Sequence, residues 1–482
     1  MKLLLINPYF GQGETEETEG ATHSPPLGLG FLGTYIRDKT DWEVEIVDPV
    51  PCGLTQQQVL KRVKEANIVG LSCFADTRFY CFEFGQKIKK KYPKVKLVIG
   101  GPHTFAMDDL ILKYYPFVDI LVRGEGEETL LEIIQGKPLE KILGVTFRKG
   151  KRVMSNPLRP FSENIDKYYI DYSLLPPLDA YGRDVEAPLE LRKLKTIYTI
   201  ASRGCPFQCS YCANVHWQRR WRAISPNELV RRIKNWIRDF GVEYIRFYDD
   251  LFTANKKWVL EFCRLLKKNK IKIKFRVLVR AGTDKEVLQA LKSVGCVAVG
   301  FGIESGSDKM LKRINKQITR SQIIQTIKNC QKLKLWVVGA FIISLPDETI
   351  EDYKQSLSLI PLLDTFQTNI QIIFPYTPFY CELKERGEIG DEIWFDKKHE
   401  GRLLYTKENF KSAKFSLKEL EWMALYTQYY HFTHRPEKVL EKYGPFFGLL
   451  IVLIALLDTP LKGKLFHLLF KFRNFWRKII YR

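Results

Sequence analysis

Strands and helices alternate along the first 135 residues, and this alternation restricts that part of the chain to an α/β fold. Short runs rich in leucine and β-branched residues, separated by amphipathic stretches, predict strands at 3–6, 44–47, 68–71, 95–99 and 118–122. Parallel strands need crossover connections, so five strands joined by helices predict a doubly wound parallel sheet. Ligands of such sheets bind at the carboxyl ends of the strands.

Small residues follow four of the predicted strands, at the edge where a ligand would bind. They occupy the loops 24–30, 72–74, 100–103 and 124–127. Glycine in such a loop lets the backbone approach a large flat ligand closely. Any single loop could equally serve only to turn the chain, but four at one edge favour a ligand site.

A second α/β series follows a proline-rich connector over 136–190, within which 147–153 predicts a small hairpin. Apolar runs then predict six more strands, at 196–200, 244–248, 272–279, 297–302, 337–343 and 368–374. Six β/α units without an antiparallel interruption predict an open or partial parallel barrel. Its chemistry should lie at the carboxyl ends of the strands.

Composition narrows the protein class without identifying a partner. The chain has 482 residues, 45% hydrophobic and 27% charged, which is typical of a folded protein of several domains. Its net charge of +21 suggests an anionic partner, either nucleic acid or a membrane surface. The apolar start of the chain is too short for a signal peptide, so we expect a cytoplasmic protein.

Three of the ten cysteines are grouped as C-x3-C-x2-C directly after the first strand of the second series. They are Cys205, Cys209 and Cys212, and the other seven are scattered as expected of small core residues. Three thiolates on one short loop suit an iron-sulfur cluster with one iron left open for a substrate. The alternative is a zinc site completed by His216.

This motif and its position resemble those of the radical S-adenosylmethionine (SAM) enzymes, which have an aromatic residue, here Tyr211, before the last cysteine. The resemblance implies a [4Fe-4S] cluster that binds SAM and cleaves it to a 5'-deoxyadenosyl radical. It also implies SAM contacts by Tyr211 of the motif and by residues that follow later strands, namely Asp249, Asp250, Arg280, Glu304 and Ser305. The segment 344–349 resembles the family's adenine segment, with Ser344 and Asp347 in place of the usual glycines.

The N-terminal part resembles the cobalamin-binding subgroup of this family. The resemblance places the corrin beside Pro26, Leu27, Gly28, Ser72, Gly100, Gly101, His103, Gly124, Glu125 and Gly126. The chain contains no Asp-x-His-x-x-Gly motif, so no histidine of that motif can bind the cobalt from below. His103 is expected either at the corrin edge or as a structural residue.

The resemblance implies methylation of an unactivated carbon in a hydrophobic, lipid-like or tetrapyrrole-like substrate. A flavodoxin or ferredoxin type protein would supply the electron. Radical cyclisation and carbon–carbon coupling are alternatives within the same architecture. An RNA-modifying enzyme and a non-catalytic iron-sulfur protein are further alternatives, although no RNA-binding module is recognisable.

The C-terminal end indicates contact with a membrane surface. Residues 446–457 form an apolar run of twelve, shorter than the roughly 20 residues of a spanning helix. Residues 461–482 contain seven basic and no acidic side chains, interleaved with aromatic and aliphatic ones. Such a segment is typical of an interfacial anchor, here at the inner face of the membrane, although a helix packed on the barrel or a dimer contact is the alternative.

The expected organisation has five parts along the chain. They are a Rossmann-like cobalamin-binding domain over 1–145, a linker over 146–190, a radical SAM (β/α)6 partial barrel over 191–385, a helical extension over 386–443, and the apolar and basic segment 444–482.

Overall fold

The computed structural model describes residues 1–9, 24–181 and 184–456. The N-terminal domain has a seven-stranded sheet in the order β2-β1-β3-β4-β5-β6-β7. Its strands are β1 Lys2–Ile6, β2 Glu43–Val47, β3 Ile68–Ser72, β4 Lys96–Gly100, β5 Ile120–Val122, β6 Val145–Lys149 and β7 Arg152–Ser155. Its helices are α1 Leu27–Lys39, α2 Gln56–Val63, α3 Arg78–Lys91, α4 Pro102–Tyr114 and α5 Glu127–Ile134.

Strands β1 to β5 are parallel, and helices cover both faces of the sheet. Leu3 and Leu5 belong to the core under α1 and α5, whereas Leu4 and Ile6 belong to the core under α2, α3 and α4. Successive side chains of a strand point to opposite faces, so β1 is buried on both sides. The predicted doubly wound sheet is confirmed.

The predicted hairpin is present, and it belongs to the N-terminal sheet. Strand β6 pairs antiparallel with β5, and β7 pairs antiparallel with β6. The expected linker over 146–190 therefore needs a correction, because its first ten residues add two strands to the first domain. The connecting segment of the structure begins after Ser155.

The second domain is a half-barrel of six parallel strands in the order β15-β14-β13-β12-β11-β8. These strands are β8 Thr196–Thr199, β11 Tyr244–Phe247, β12 Lys274–Leu278, β13 Cys296–Glu304, β14 Trp336–Ile343 and β15 Thr365–Ile370, and the two short strands β9 Ser202–Arg203 and β10 Arg222–Ala223 form a separate ribbon. The helices are α6 Pro226–Phe240, α7 Lys256–Lys268, α8 Lys285–Ser293, α9 Asp308–Arg313, α10 Arg320–Lys332 and α11 Ile350–Leu357. The predicted partial barrel is confirmed.

The remaining helices are α12 Pro378–Glu385, α13 Leu417–His434, α14 Pro436–Tyr443 and α15 Pro445–Leu456. Short 3-10 turns occur at Leu139–Lys141, Tyr172–Leu174, Leu178–Ala180, Leu191–Lys193, Ala213–Trp217, Ile360–Leu362, Asp391–Phe395 and Lys397–His399. Helix α13 packs on the barrel through Leu420 and Met423. Trp394 and Leu403, from the segment before α13, are buried in the core of the N-terminal domain. The extension therefore contacts both domains.

A buried arginine joins the extension to the N-terminal domain. Arg78, the first residue of α3, is fully buried and donates hydrogen bonds to the backbone carbonyls of Ala75, Trp394, His399 and Gly401. Burial lowers the pKa of Arg78 to about 10, because these partners carry no full negative charge. The single guanidinium of Arg78 thus donates several of the hydrogen bonds that hold the segment 394–401.

A charged cluster occupies the interior of the half-barrel. Every second residue of β11 and β12 is apolar and packs outward. Arg246 on β11 and Arg276 on β12 occupy the alternate positions, which face the interior. Arg276 donates to Asp184 at 2.9 Å and pairs with Glu186 at 2.5 Å, while Arg246 lies 3.4 Å from Asp184. The hydroxyl of Tyr244 also donates to Asp184, at 3.0 Å. Asp184 and Glu186, which belong to the connecting segment, thus place two carboxylates against the arginines inside the half-barrel.

Candidate functional site

The three-cysteine loop lies between β9 and the 3-10 turn Ala213–Trp217, and backbone contacts fix its path. Gly204 has a φ of +80°, and a Cβ there would collide with the carbonyl of Arg220, so the position requires glycine. The N–H of Ser210 donates to the carbonyl of Ile314 at 3.0 Å. The side-chain amide of Asn315 donates to the carbonyl of Gln208 at 2.9 Å. The loop after α9 thus holds the cysteine loop in place.

Cys205 and Cys209 are close enough to Cys212 for their thiols to interact electrostatically with it. Burial raises the pKa of Cys212 to about 11, and the charges that Cys209 and Cys205 would carry add to this shift. Among the described residues, no three His, Cys, Asp or Glu side chains converge closely enough to hold one metal ion. Each thiolate of an iron-sulfur cluster binds a different iron atom, so the three sulfur atoms need not converge on one point. Three cysteines on one loop therefore fit the predicted cluster. The side chain of His216, the zinc alternative, lies outside the described residues.

Tyr211, Glu304 and Lys316 form a buried hydrogen-bonded group beside the cysteine loop. Lys316 Nζ donates to Glu304 Oε1 at 2.8 Å and to the hydroxyl of Tyr211 at 3.2 Å, and that hydroxyl donates to the same oxygen at 2.9 Å. A register shift between Gly302 and Glu304 at the end of β13 turns this carboxylate toward the loop. Burial alone would lower the pKa of Lys316, but the Glu304 carboxylate outweighs it and the pKa is raised.

Arg280 lies beside the same loop. Its guanidinium stacks on the ring of Phe207, 3.5 Å from the ring centroid, and donates to the carbonyl of Lys316. The predicted contact of Arg280 with the SAM carboxylate remains a prediction. Its position between the cysteine loop and Lys316 is compatible with that role.

The two aspartates after β11 have different surroundings. Asp249 is fully buried and accepts hydrogen bonds from the N–H of Ala201 and the hydroxyl of Ser202, and burial raises its pKa to about 7. Asp250 lines the apolar cavity between the two domains that is described below, and desolvation raises its pKa. The geometry therefore favours Asp250 over Asp249 as a ligand contact.

Ser305, another predicted SAM contact, faces the protein interior. Its side chain is fully buried, its hydroxyl lies 3.3 Å from that of Ser356, and it accepts a hydrogen bond from the N–H of Ser307. These contacts shape the turn after β13. They do not favour a direct contact with a ligand.

A cavity of about 380 Å³ separates the carboxyl ends of the N-terminal strands from the mouth of the barrel. The predicted corrin residues that line it are Gly28, Ser72, Gly100, Gly101, Gly124, Glu125 and Gly126. From the barrel side, Gly204, Tyr248 and Asp250 line the same cavity. Pro26 and Leu27 instead begin α1, where the carbonyl of Pro26 accepts from the N–H of Gly30 and Leu27 packs against the core.

Glycine backbone forms part of the cavity wall. A Cβ at Gly28 would meet no protein atom within 4 Å, so this position presents bare backbone to open space. Gly101 has a φ of +116°, and a Cβ there would collide with the carbonyl of Cys73. An apolar cavity with bare backbone along one side fits a large flat ligand such as a corrin.

Four charged residues cross the domain interface at this cavity. Arg203 pairs with Glu125 at 3.0 Å and with Glu127 at 2.6 Å, and Arg222 pairs with Glu125 at 2.8 Å. Burial alone would raise the pKa of Glu125, but the two guanidiniums outweigh it and lower the pKa. Glu125 lines the cavity, and its carboxylate is bound by both arginines and joins the domains, so its contact with the corrin remains a prediction.

His103 lies away from the cavity, in contrast to the expectation of a place at the corrin edge. Its ring packs between those of Phe82 and Trp394, with centroids 6.3 Å and 5.9 Å away, and the residue is 1% exposed. The structural alternative is therefore the one that the geometry supports. His103 is the second residue of α4, so the start of this helix fixes its place in the chain.

Sequence reasoning missed three residues of the site, Arg203, Arg222 and Lys316. No local pattern marks Lys316, because its partners Tyr211 and Glu304 are distant in sequence. Arg203 lies two residues before the first cysteine of the motif, and acidic residues stand in the loop after β5. Opposite charges in two loops at facing sheet edges are the signal that could have predicted this pairing.

Comparison with known proteins gives two family matches. The Radical SAM superfamily matches residues 199–360 and the B12 binding domain matches residues 19–134. The chain is 32% identical over 385 residues to the uncharacterized methyltransferase PH0819 of Pyrococcus horikoshii, which covers 78% of this chain and 81% of that protein. It is 23% identical to the anaerobic magnesium-protoporphyrin IX monomethyl ester cyclase of Cereibacter sphaeroides, over 81% of this chain and 65% of that protein.

The fold is also that of a solved structure. The radical SAM methyltransferase TsrM of Kitasatospora setae, determined with a tryptophan substrate and a SAM analogue, superposes with a TM-score of 0.71. The alignment covers 91% of this chain and 90% of that one at 16% identity. At this identity the similarity concerns the fold.

Proposed function

The chain belongs to the radical SAM enzymes that carry a B12-binding domain, and on that premise we propose that it transfers a methyl group from SAM to an unactivated carbon of a hydrophobic substrate. Members of this family use a [4Fe-4S] cluster, SAM and cobalamin. The enzyme also needs an external one-electron reductant, for which we propose a flavodoxin or ferredoxin type protein.

The observation that carries this proposal is the cavity shared by the two domains. Gly28 and Gly101 line its N-terminal side, and Asp250 lines its barrel side together with Gly204, which begins the cysteine loop. Groups held on the two sides would face the same space. Methyl transfer to a carbon radical requires such proximity, because the methyl donor and the radical must lie within contact distance.

When bound, the cluster and SAM supply a 5'-deoxyadenosyl radical and cobalamin supplies a transferable methyl group. The chain's own residues hold and orient these groups. Cys205, Cys209 and Cys212 would ligate the cluster, and Asp250 and Arg280 would bind the amino and carboxylate groups of SAM. Arg203, Arg222, Glu125 and Glu127 also line the cavity, and their ion pairs join the two domains there.

The substrate class is a proposal supported by the cavity walls and by the relatives. Leu29, Phe31 and Val98 are among the apolar side chains that line the shared cavity, which the reacting carbon of the substrate would have to reach. The Cereibacter relative is named for a tetrapyrrole substrate, which favours a hydrophobic molecule of this kind. Since that relative is a cyclase, ring closure is the second candidate reaction on the same architecture.

Transfer of an isotopic label distinguishes the two reactions. With SAM carrying a 13C-labelled methyl group, reduced protein loaded with cluster and cobalamin should give a substrate product heavier by one labelled methyl group. The measurement is mass spectrometry of the product after an anaerobic reaction with candidate tetrapyrroles and lipids. An unlabelled, cyclised or carbon-coupled product would contradict methyl transfer, and omission of cobalamin is the matched control.

We also propose that the C-terminal end binds an anionic membrane surface. None of the helices among the described residues combines the length and apolarity needed to cross a bilayer. Helix α15 exposes Phe446, Leu449, Leu453 and Leu456 along one side, each at least half exposed, while Ile451 and Ala455 are buried on the other. The basic residues of 461–482, which lie outside the described residues, follow directly in the sequence.

Charge placed on this exposed stripe should weaken membrane binding. We expect the double variant Leu449→Glu, Leu453→Glu to bind vesicles of anionic phospholipid at least about tenfold less than the native chain, because each leucine loses its favourable transfer into lipid. Sedimentation with the vesicles measures the bound fraction. The matched control is Leu143→Glu, Ile350→Glu, which changes two exposed apolar residues elsewhere. Equal binding by both double variants would refute the anchor.

A further inference from the structure

A second cavity of about 310 Å³ adjoins the one between the domains, and we call it the side pocket. Phe74 and Pro102 line both cavities. Ala213, which directly follows Cys212, also lines the side pocket, as do Phe374 beyond β15 and Trp394 of the extension. The side pocket therefore lies between the cofactor cavity, the cysteine loop and the extension.

The outer wall of the side pocket is held rigidly. Trp394 and Gly401, which both line it, have their carbonyls bound by the guanidinium of Arg78, at 2.8 Å and 2.7 Å. Trp394 is 1% exposed and Leu403, another wall residue, is also 1% exposed. A preformed apolar wall reduces the ordering cost of binding a ligand.

Arg402 brings a positive charge to this mostly apolar pocket. Its side chain is 59% exposed, and its ion pair with Asp76, which also lines the pocket, is long at 3.8 Å. A guanidinium matches the two oxygens of a carboxylate with two parallel hydrogen bonds. The neighbouring Asp76 carboxylate would repel a doubly charged phosphate more than a singly charged carboxylate.

We propose that the side pocket binds the substrate, and that the substrate is a hydrophobic carboxylate whose charged group contacts Arg402. The apolar part lies against Phe374 and Trp394 and extends past Phe74 toward the cofactor cavity. The identity of the ligand as substrate rests on the proposed function. Binding measurements alone test whether the side pocket takes such a ligand and whether it prefers a carboxylate.

Binding of matched twelve-carbon compounds tests the charge selectivity. With the full chain carrying its cluster, we expect dodecanoate to bind more tightly than dodecanol or dodecyl phosphate in calorimetric titrations. Arg402→Met should weaken dodecanoate binding about tenfold, as expected for loss of a charge-assisted contact at a partly exposed site, and leave dodecanol binding unchanged. Lys398→Met, which removes an equal charge from the same exposed segment, is the matched control.

Each outcome of these titrations bears on the proposal. Dodecanoate that binds equally to the native chain and to Arg402→Met, or that does not bind the native chain, would overturn it. A tighter, Arg402-dependent binding of dodecyl phosphate would overturn the assignment of a carboxylate.

The position of the ligand is tested by photochemical labelling, because the exposed stripe of α15 could also bind an alkyl chain. A dodecanoate carrying a terminal diazirine should label peptides that contain Phe74, Phe374 or Trp394, as mapped by mass spectrometry. Labelling confined to residues 445–456 would overturn the pocket. Loss of 13C-methyl transfer with intact Arg402-dependent binding would contradict the proposed function instead, so the two failures are distinguishable.

Discussion

Replacement of Cys209 by alanine should abolish the iron-sulfur cluster and all reductive cleavage of SAM. Cys209 is the most buried of the three thiols, and the neighbouring Lys316 is close enough to interact with its charge. Without this thiolate one iron atom loses its protein ligand, and the remaining two cysteines cannot retain the cluster. Since enzymes accelerate their reactions at least about 10⁶-fold, formation of 5'-deoxyadenosine should fall to the protein-free level.

The measurements are iron content and visible absorption after anaerobic reconstitution, followed by quantification of 5'-deoxyadenosine. Cys263→Ala is the matched control, because Cys263 is a buried residue of α7, 3% exposed, and belongs to no loop of the site. This variant should retain its iron and lose only about 1 kcal/mol of stability. A Cys209→Ala protein with full iron content and native SAM cleavage would refute the assignment of the cluster ligands.

Replacement of Asp184 by asparagine should lower the free energy of unfolding by about 3–5 kcal/mol, because it leaves Arg246 and Arg276 buried without sufficient negative charge. Asp184 is 5% exposed and contacts both guanidiniums inside the half-barrel. Chemical denaturation at neutral pH measures the loss. A matched control is Asp239→Asn, whose carboxylate pairs with Arg238 on the surface and should change stability by less than about 1 kcal/mol.

The same aspartate predicts the pH dependence of this difference. Burial alone would raise the pKa of Asp184, but Arg276 and Arg246 outweigh it and hold the pKa below its usual value. A carboxylate with a depressed folded pKa stabilises the fold above its unfolded pKa of about 3.9, and this contribution is lost as the pH falls through the folded value. The stability gap between the native chain and Asp184→Asn should therefore be full at pH 7 and narrow below about pH 4. A gap that widens toward acid would contradict the ion-pair assignment.

Local patterns predicted most of the fold and the cysteine loop. Each of the eleven predicted strands overlaps a strand of the structure, because buried parallel strands are short apolar runs that are visible in sequence. The cysteine loop is likewise a contiguous motif. The half-barrel follows from strand order, since crossover connections leave few alternatives.

Contacts between distant segments could not be predicted in this way. His103 follows a glycine-rich loop, as a ligand contact would, but packing against Trp394 decides its role. Arg78 looks like an ordinary basic residue at the start of a helix, whereas three of its four partners lie more than 300 residues further on. The acceptor atoms in that case are backbone carbonyls, which every residue possesses and no sequence pattern reveals.

The ion pairs across the interface also bear on how such enzymes can be recombined. Glu125 and Glu127 belong to the N-terminal domain, and Arg203 and Arg222 belong to the barrel, so each domain alone exposes charges that the other neutralises. A chimera that joins this N-terminal domain to the barrel of a relative would bury two unpaired carboxylates unless the arginines were carried along. Exchange of one domain is therefore constrained by the residues that the other carries at these four positions.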